Sequence, residues 1–235
     1  MKDLKEVNAI RTVSTDTLDG MTICIEKSLY DSELGEAIKT QFEGKEAEII
    51  RSDEEFESII RWETKTRAEW DSLSQSFLPF SNGEIRVISN KHVAVWMDMP
   101  RLTSLILSNE LIPRLKQIQS RQSEAQIVLL IEGLRKYYRD RRNIQSRKFQ
   151  QRVLQGIAQE NGEPQNGKMA SASSSKKPRV NKTDWIANGL DQNEVEDIML
   201  SLQLEHKMMI INTVDCSASA SWILSLSANI ATKTS

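Results

Sequence analysis

Residues 126–142 read QIVLLIEGLRKYYRDRR. The run from Ile127 to Ile131 is apolar and rich in β-branched residues, too short for a free-standing helix and unbroken by polar positions. Such a run predicts a strand, Gln126–Glu132, buried on both faces, which is the strand of an α/β layer fold. Directly after it, Arg135, Lys136, Arg139, Arg141 and Arg142 crowd onto a tyrosine-bearing helical stretch. That stretch reads either as a surface for a negatively charged partner or as a solvated charged face.

The chain has 235 residues and is 39 % hydrophobic, enough for one substantial core. Its formal net charge of −2 hides an asymmetry. Residues 135–182 hold 13 Lys and Arg against three acids, Asp140, Glu160 and Glu163, a local net of +10 that leaves about −12 for the remainder. The two cysteines, Cys24 and Cys216, lie far apart without CxxC or histidine partners and read as buried thiols rather than a zinc site or disulfide framework. The opening MKDLKEVNAIRTV is charged and lacks a signal-peptide core, and no run of about 18 apolar residues exists to cross a membrane, so an intracellular protein is expected.

Working outward from the central strand, Met21–Glu26 predicts a first strand and Ser32–Phe42 an amphipathic helix, with Leu34, Ile38 and Phe42 spaced by four. Ala47–Arg51 predicts a second strand. Phe56–Lys65 reads two ways: Ser52 and Glu55 fit a capping box, whereas Ile59, Ile60 and Trp62 favour the strand preferred here. A hairpin is expected next, with a turn at Ser81-Asn82-Gly83, a strand Glu84–Ser89, a turn at Asn90-Lys91 and a strand His92–Met97. In that last strand Val93, Val95 and Met97 share one face and Ala94 and Trp96 the other. Pro100 opens a helix expected to break near Pro113. Residues 158–182 lack aromatics and read as a flexible basic insert. Asp191–Leu204 predicts a capped helix with Val195, Ile198, Met199 and Leu202 inward, followed by a strand Lys207–Asn212 and a helix Ala218–Ala231. The domain reading is a lead-in over 1–19, a first part over 20–157, the insert, and a closing part over 183–235.

Several chemistries lack their motifs. All nine glycines are isolated, which removes the dinucleotide fingerprint and the P-loop, and there is no GxSxG nucleophile elbow. His92 and His206 have no metal-ligand spacing and read as structural. No small-molecule substrate site is indicated.

The ordered set MTICIEKSLYDSELGEAI, EIIR, IIRWETK, VAVWMDMPRLTSLI and IVLLIEGL resembles the nuclease fold of the XPF family, heterodimeric enzymes that cut branched DNA. The resemblance implies a restriction-endonuclease-like α/β fold, a central mixed sheet flanked by helices. Catalytic chains of that family carry a GD pair and a strand ending in ERK with an aspartate four residues on. At the ERK position this sequence reads Val95-Trp96-Met97, followed by Asp98, and it has no GD pair. The reaction needs clustered carboxylates to hold Mg²⁺, and Glu26 alone is a weak metal candidate. The sequence therefore resembles a catalytically degenerate, non-catalytic chain, of the essential meiotic structure-specific endonuclease subunit type found in the crossover-junction endonuclease. The resemblance implies a MUS-type catalytic chain as heterodimeric partner, branched DNA as substrate of the complex, Mg²⁺ in the partner and no cofactor in this chain, and a nuclear location. It covers roughly residues 20–232, and the lone glycines supply none of the Gly-rich hairpins of the family's tandem helix-hairpin-helix domains.

On this reading Arg135, Arg139 and Arg142 fall on one helical face, and Arg141, Lys148 and Arg152 on a neighbouring one, with Arg147 beside them. Together with Lys136 they are the candidate DNA contacts, since guanidinium forks suit phosphate oxygens. Tyr137 or Tyr138 could stack on an unpaired base, and Phe149, Val153 and Ile157 form a stripe expected to dock the helix on the domain. Lys176, Lys177, Arg179 and Lys182 could add phosphate contacts, and KKPR resembles a nuclear-localisation cluster. Two other readings stay open: a protein-binding scaffold without DNA contact, and an active nuclease with an unusual site of Glu26, Glu33, Asp98 and Glu132.

Overall fold

The computed structural model describes residue 4 and residues 18–121, 125–160 and 184–233. In chain order, β1 (Met21–Glu26) leads into a single turn α1 (Lys27–Tyr30) and α2 (Glu33–Gln41), then β2 (Glu48–Ser52) and β3 (Ile59–Thr66). A small hairpin of β4 (Ala68–Asp71) and β5 (Ser76–Pro79) precedes the long β6 (Arg86–Asp98). Next come α3 (Met99–Leu107), α4 (Leu111–Arg121), β7 (Gln126–Glu132) and the 27-residue α5 (Leu134–Glu160). The chain closes with α6 (Asp184–Ala187), α7 (Gln192–Leu204), β8 (Met209–Thr213) and α8 (Cys216–Lys233).

The six long strands form one mixed sheet in the order β2-β1-β3-β6-β7-β8. β7 is hydrogen-bonded in parallel to β6 on one side and β8 on the other. Its side chains alternate between two cores: Ile127, Leu129 and Ile131 pack with α3, α4, α5 and α7, and Val128 and Leu130 pack with residues of α2 and α8. All five are at most 1 % exposed, so the doubly buried strand expected from the sequence stands at the centre of three layers. Burying five such side chains contributes on the order of 10 kcal/mol before chain entropy is set against it. The alternation in β6 is also as expected, with Val93, Val95 and Met97 in the first core and Ala94 and Trp96 facing the second.

Helix ends follow their caps. Ser32 accepts the Gly35 amide at the start of α2, and Asp98 accepts that of Arg101 at the start of α3, with Pro100 in the first turn. The capping box of Asp191 and Glu194 is complete at α7. Trp62 is fully buried and its indole N–H donates to Ser227 Oγ at 2.7 Å, tying β3 to α8.

Two local expectations are corrected. The hairpin turn at Asn90-Lys91 is absent: β6 runs straight through it, and its register against β3 slips between Arg61 and Glu63. Asn90 Oδ1 accepts the His92 amide at 3.0 Å, so the turn-forming side chain is spent on a bulge inside one strand. The break expected near Pro113 falls at Ser108–Glu110, where Asn109 takes φ 58°, and Pro113 sits in the first turn of α4, which tolerates it. Of the two readings of Phe56–Lys65, the preferred strand is the one found, as β3: Ser52 ends β2 and donates to Glu54, and Glu55 pairs with Arg121, so no capping box forms. The β4–β5 hairpin was not expected at all.

Candidate functional site

The pairing pattern brings the C-terminal ends of β1, β2, β6, β7 and β8 to one edge of the sheet. That edge is where open α/β sheets carry ligands, and it holds Glu26, Asp98 and Glu132. Each carboxylate is engaged in the fold. Glu26 is 6 % exposed and caps α1, accepting Ser28 N at 2.7 Å, Ser28 Oγ at 2.6 Å, Leu29 N at 3.3 Å and, from the next strand over, Ser58 N at 3.0 Å. Burial opposes its charge, but the donors from Ser28, Ser58 and Leu29 outweigh burial and hold its pKa below the ordinary glutamate value. Asp98 is the α3 cap. Glu132 accepts Trp96 Nε1 at 3.3 Å, Ser219 Oγ at 3.1 Å and the Cys216 thiol at 3.6 Å. Glu33 lies exposed in the first turn of α2.

Strand alternation further separates these acids. Glu26 follows Ile23 and Ile25, which face α2 and α8, and so points to the other layer, beside Ser58. Asp98 and Glu132 are register partners on the α8 side. Among the described residues no three His, Cys, Asp or Glu side chains converge in a group that could hold a metal ion. A hard cation such as Mg²⁺ needs several free oxygens around it, and these residues, with both Glu26 oxygens already accepting amides or hydroxyls, do not fit one.

The cationic segment is built differently. Gly133 adopts φ +82°, and its amide donates to Thr213 O at 3.0 Å, which turns the chain from β7 into α5. Leu134 and Tyr137 are buried in the first core, so Arg135, Lys136, Arg139 and Arg142 face solvent. Arg147, Lys148 and Arg152 are exposed further along. Arg141 is half-buried, and its guanidinium donates to Ile186 O, locking α6 against α5.

The stacking expected of Tyr137 is corrected. Tyr137 is 2 % exposed, donates its hydroxyl to Leu190 O at 2.6 Å and stacks on Trp185 with ring centroids 5.4 Å apart. Tyr138 packs against the first core with its hydroxyl buried, and burial pushes its pKa up to about 12. The Tyr137 ring is not available to a base, whereas Tyr138 is only half-buried and lines a surface pocket with Arg141 and Arg142. The docking stripe is corrected as well: Phe149 is 65 % exposed, Val153 42 % and Ile157 49 %. Lys176, Lys177, Arg179 and Lys182, and most of the 158–182 insert, lie outside the described residues.

One surface had gone unread in the sequence. β8 is an end strand of the sheet, and Met209 and Val214 are exposed along it, with Leu200 and Leu204 of α7 and Trp222 of α8 on either side. Leu200 and Leu204 lie off the inward stripe of α7, and that was the available signal. Among the described residues no helix is long and apolar enough to cross a membrane.

A mixed sheet between two helical layers, with acids along the C-terminal strand edge, defines a nuclease-like α/β domain. Residues 26–226 match the ERCC4 domain, most of the chain, and the protein belongs to that family, with the ERCC4/XPF nuclease fold. Among solved structures it is similar to XPF from Aeropyrum pernix, at 10 % identity and a TM-score of 0.44, over 88 % of this chain and 63 % of that one. It is similar also to XPF from Aeropyrum pernix in complex with DNA, at 9 % identity and a TM-score of 0.45, over 91 % and 66 %. The chain thus spans just under two thirds of the length of each. No curated protein matches it.

Proposed function

We propose that this chain is the non-catalytic, DNA-binding subunit of a heterodimeric structure-selective endonuclease. The complex would act in the nucleus on branched DNA (3′ flaps, replication forks and nicked Holliday junctions) in recombination and repair. A MUS-type catalytic chain supplies Mg²⁺ and the cut. The observation that carries this reading is the contrast between two regions. The edge acids are consumed as caps and structural acceptors, whereas Arg135, Lys136, Arg139, Arg142, Arg147, Lys148 and Arg152 all stand in solvent on α5. Arg141, placed among the DNA contacts on sequence grounds, is half-buried and spends one guanidinium N–H on Ile186 O, which leaves the phosphate contacts to its exposed neighbours. The exposed apolar end-strand surface around Met209, Val214 and Trp222 supports a partner chain there.

The test is fluorescence anisotropy of a labelled forked DNA titrated with the chain at several salt concentrations, beside a nicking assay with Mg²⁺. The reading expects binding that weakens steeply with salt, is lost on charge reversal at Arg135, Arg139 and Arg142, and yields no nicks from this chain alone. Nicking abolished by Glu26→Ala would sink the non-catalytic assignment. A protein-binding scaffold without DNA contact is the second reading, favoured by the exposed apolar residues on distal α5. It expects charge reversal on α5 to leave DNA binding of the complex unchanged.

A further inference from the structure

α5 changes its apolar side halfway along. Near its start, Leu134, Tyr137 and Ile144 face the first core. At 100° per residue, Phe149, Val153 and Ile157 lie on average roughly 160° around the helix from Tyr137. They therefore continue the outward face of Arg135, Arg139 and Arg142, and Leu154, 66 % exposed, widens the stripe. No rotation of α5 can seat both apolar sides on the same domain. The outward stripe is a face for something else.

Charge narrows the choice of occupant. Residues 141–157 hold five cations, Arg141, Arg142, Arg147, Lys148 and Arg152, and no acid. A second copy of this chain packing stripe to stripe would bring the same five cations. The 161–183 segment has five cations, Lys168, Lys176, Lys177, Arg179 and Lys182, against Glu163 and is repelled likewise, while residues 1–17 balance three cations with three acids. A nucleic acid would satisfy the cations but leave a row of four aliphatic and aromatic side chains without apolar cover.

We propose that the outward stripe of Phe149, Val153, Leu154 and Ile157 on α5 is a docking face for an acidic amphipathic helix of a partner protein. The partner's apolar residues at helical spacing cover the stripe, and its flanking carboxylates meet Arg142, Arg147 and Arg152. The inference shares Arg142, Arg147 and Arg152 with the proposed DNA contacts, so an acidic helix and DNA compete for them, while the apolar stripe belongs to the helix alone.

The test uses the whole chain and a labelled helical peptide with leucines at i, i+3 and i+7 flanked by glutamates. Two control peptides replace the glutamates by lysines or the leucines by serines. The variant Phe149→Glu/Leu154→Glu keeps good helix formers at exposed positions, and circular dichroism checks its fold. The acidic peptide is expected to bind, both controls to fail, and the variant to bind it about tenfold more weakly or worse. Equal binding of the lysine peptide, no binding of the acidic one, or an unaffected variant overturns the proposal. So does sedimentation showing that the chain self-associates through the stripe, or a Phe149→Ser change that weakens forked-DNA binding while leaving the peptide untouched.

Discussion

The Tyr137 hydroxyl donates to the carbonyl of Leu190 at 2.6 Å, a bond that joins the first turns of α5 to the chain on the far side of residues 161–183. Beside it, a Cβ on Gly189 would lie 2.6 Å from the Tyr137 oxygen and 2.7 Å from the carbonyl of Trp185. Tyr137→Phe is expected to cost about 1 kcal/mol, the net worth of one buried hydrogen bond. Gly189→Ala should cost more, because both neighbours must move. Urea denaturation of the two variants checks the order, and equal stability of Gly189→Ala and wild type would refute the close approach.

Trp62 and Ser227 form a second long-range tie, between the sheet and α8. Ser227→Ala leaves a fully buried indole N–H without an acceptor and should destabilise the chain by about 1–3 kcal/mol. Ser227→Thr keeps the hydroxyl and should recover part of the loss. Chemical denaturation followed by tryptophan fluorescence reads both.

Glu26 gives the fold an acid-sensitive joint. Its folded pKa lies below the unfolded value of about 4.3. Its ionised form therefore stabilises the fold at all pH above that value, and the contribution disappears as pH falls through the lower folded pKa. Glu26→Gln should lower stability at neutral pH and flatten the stability profile below about pH 4.5. Denaturation midpoints measured from pH 3 to 7 would show it, and parallel curves for variant and wild type would contradict the capping role.

Cys216 is held as a thiol. Burial first, and then the carboxylate of Glu132, push its pKa up to about 12. Alkylation by iodoacetamide at pH 8 should be slow in the folded chain, and Glu132→Gln should accelerate it at Cys216 while leaving Cys24 unchanged. Mass spectrometry of the labelled peptides distinguishes the two thiols.

If the arginine face of α5 grips phosphates, charge reversal at Arg135, Arg139 and Arg142 should reduce the slope of log affinity against log salt by about one per lost contact. Lys116, on α4, provides a control reversal that should leave the slope unchanged.

The strands of the sheet were the legible part. MTICIE and QIVLLIE declare themselves because each is a short, largely apolar run, interrupted inside only by the buried Thr22, and the structure ends both where the sequence does. Asn90-Lys91 misled because an asparagine bond to the next amide but one serves a bulge as well as a turn. The β4–β5 pair, four residues per strand, is too short for a periodicity to register. At the candidate site, the sequence places the acids and the arginines but not their partners. Ser58 reaches Glu26 across 32 positions and Ile186 reaches Arg141 across 45, and such contacts leave no trace in spacing. The stripe of Phe149, Val153 and Ile157 was visible, but its direction depends on where Tyr137 points.

The two-sided pairing of β7 has a consequence for synthesis. Its outer partner arrives late: Thr213 Oγ1 reaches the carbonyl of Ile131 across 82 residues. At ribosomal speeds of about 5–20 residues per second, roughly 4 to 16 seconds pass between the two leaving the peptidyl-transferase centre. Throughout that interval the most apolar strand of the nascent chain has a bare edge, the kind of edge that can pair with another chain until β8 arrives to cover it.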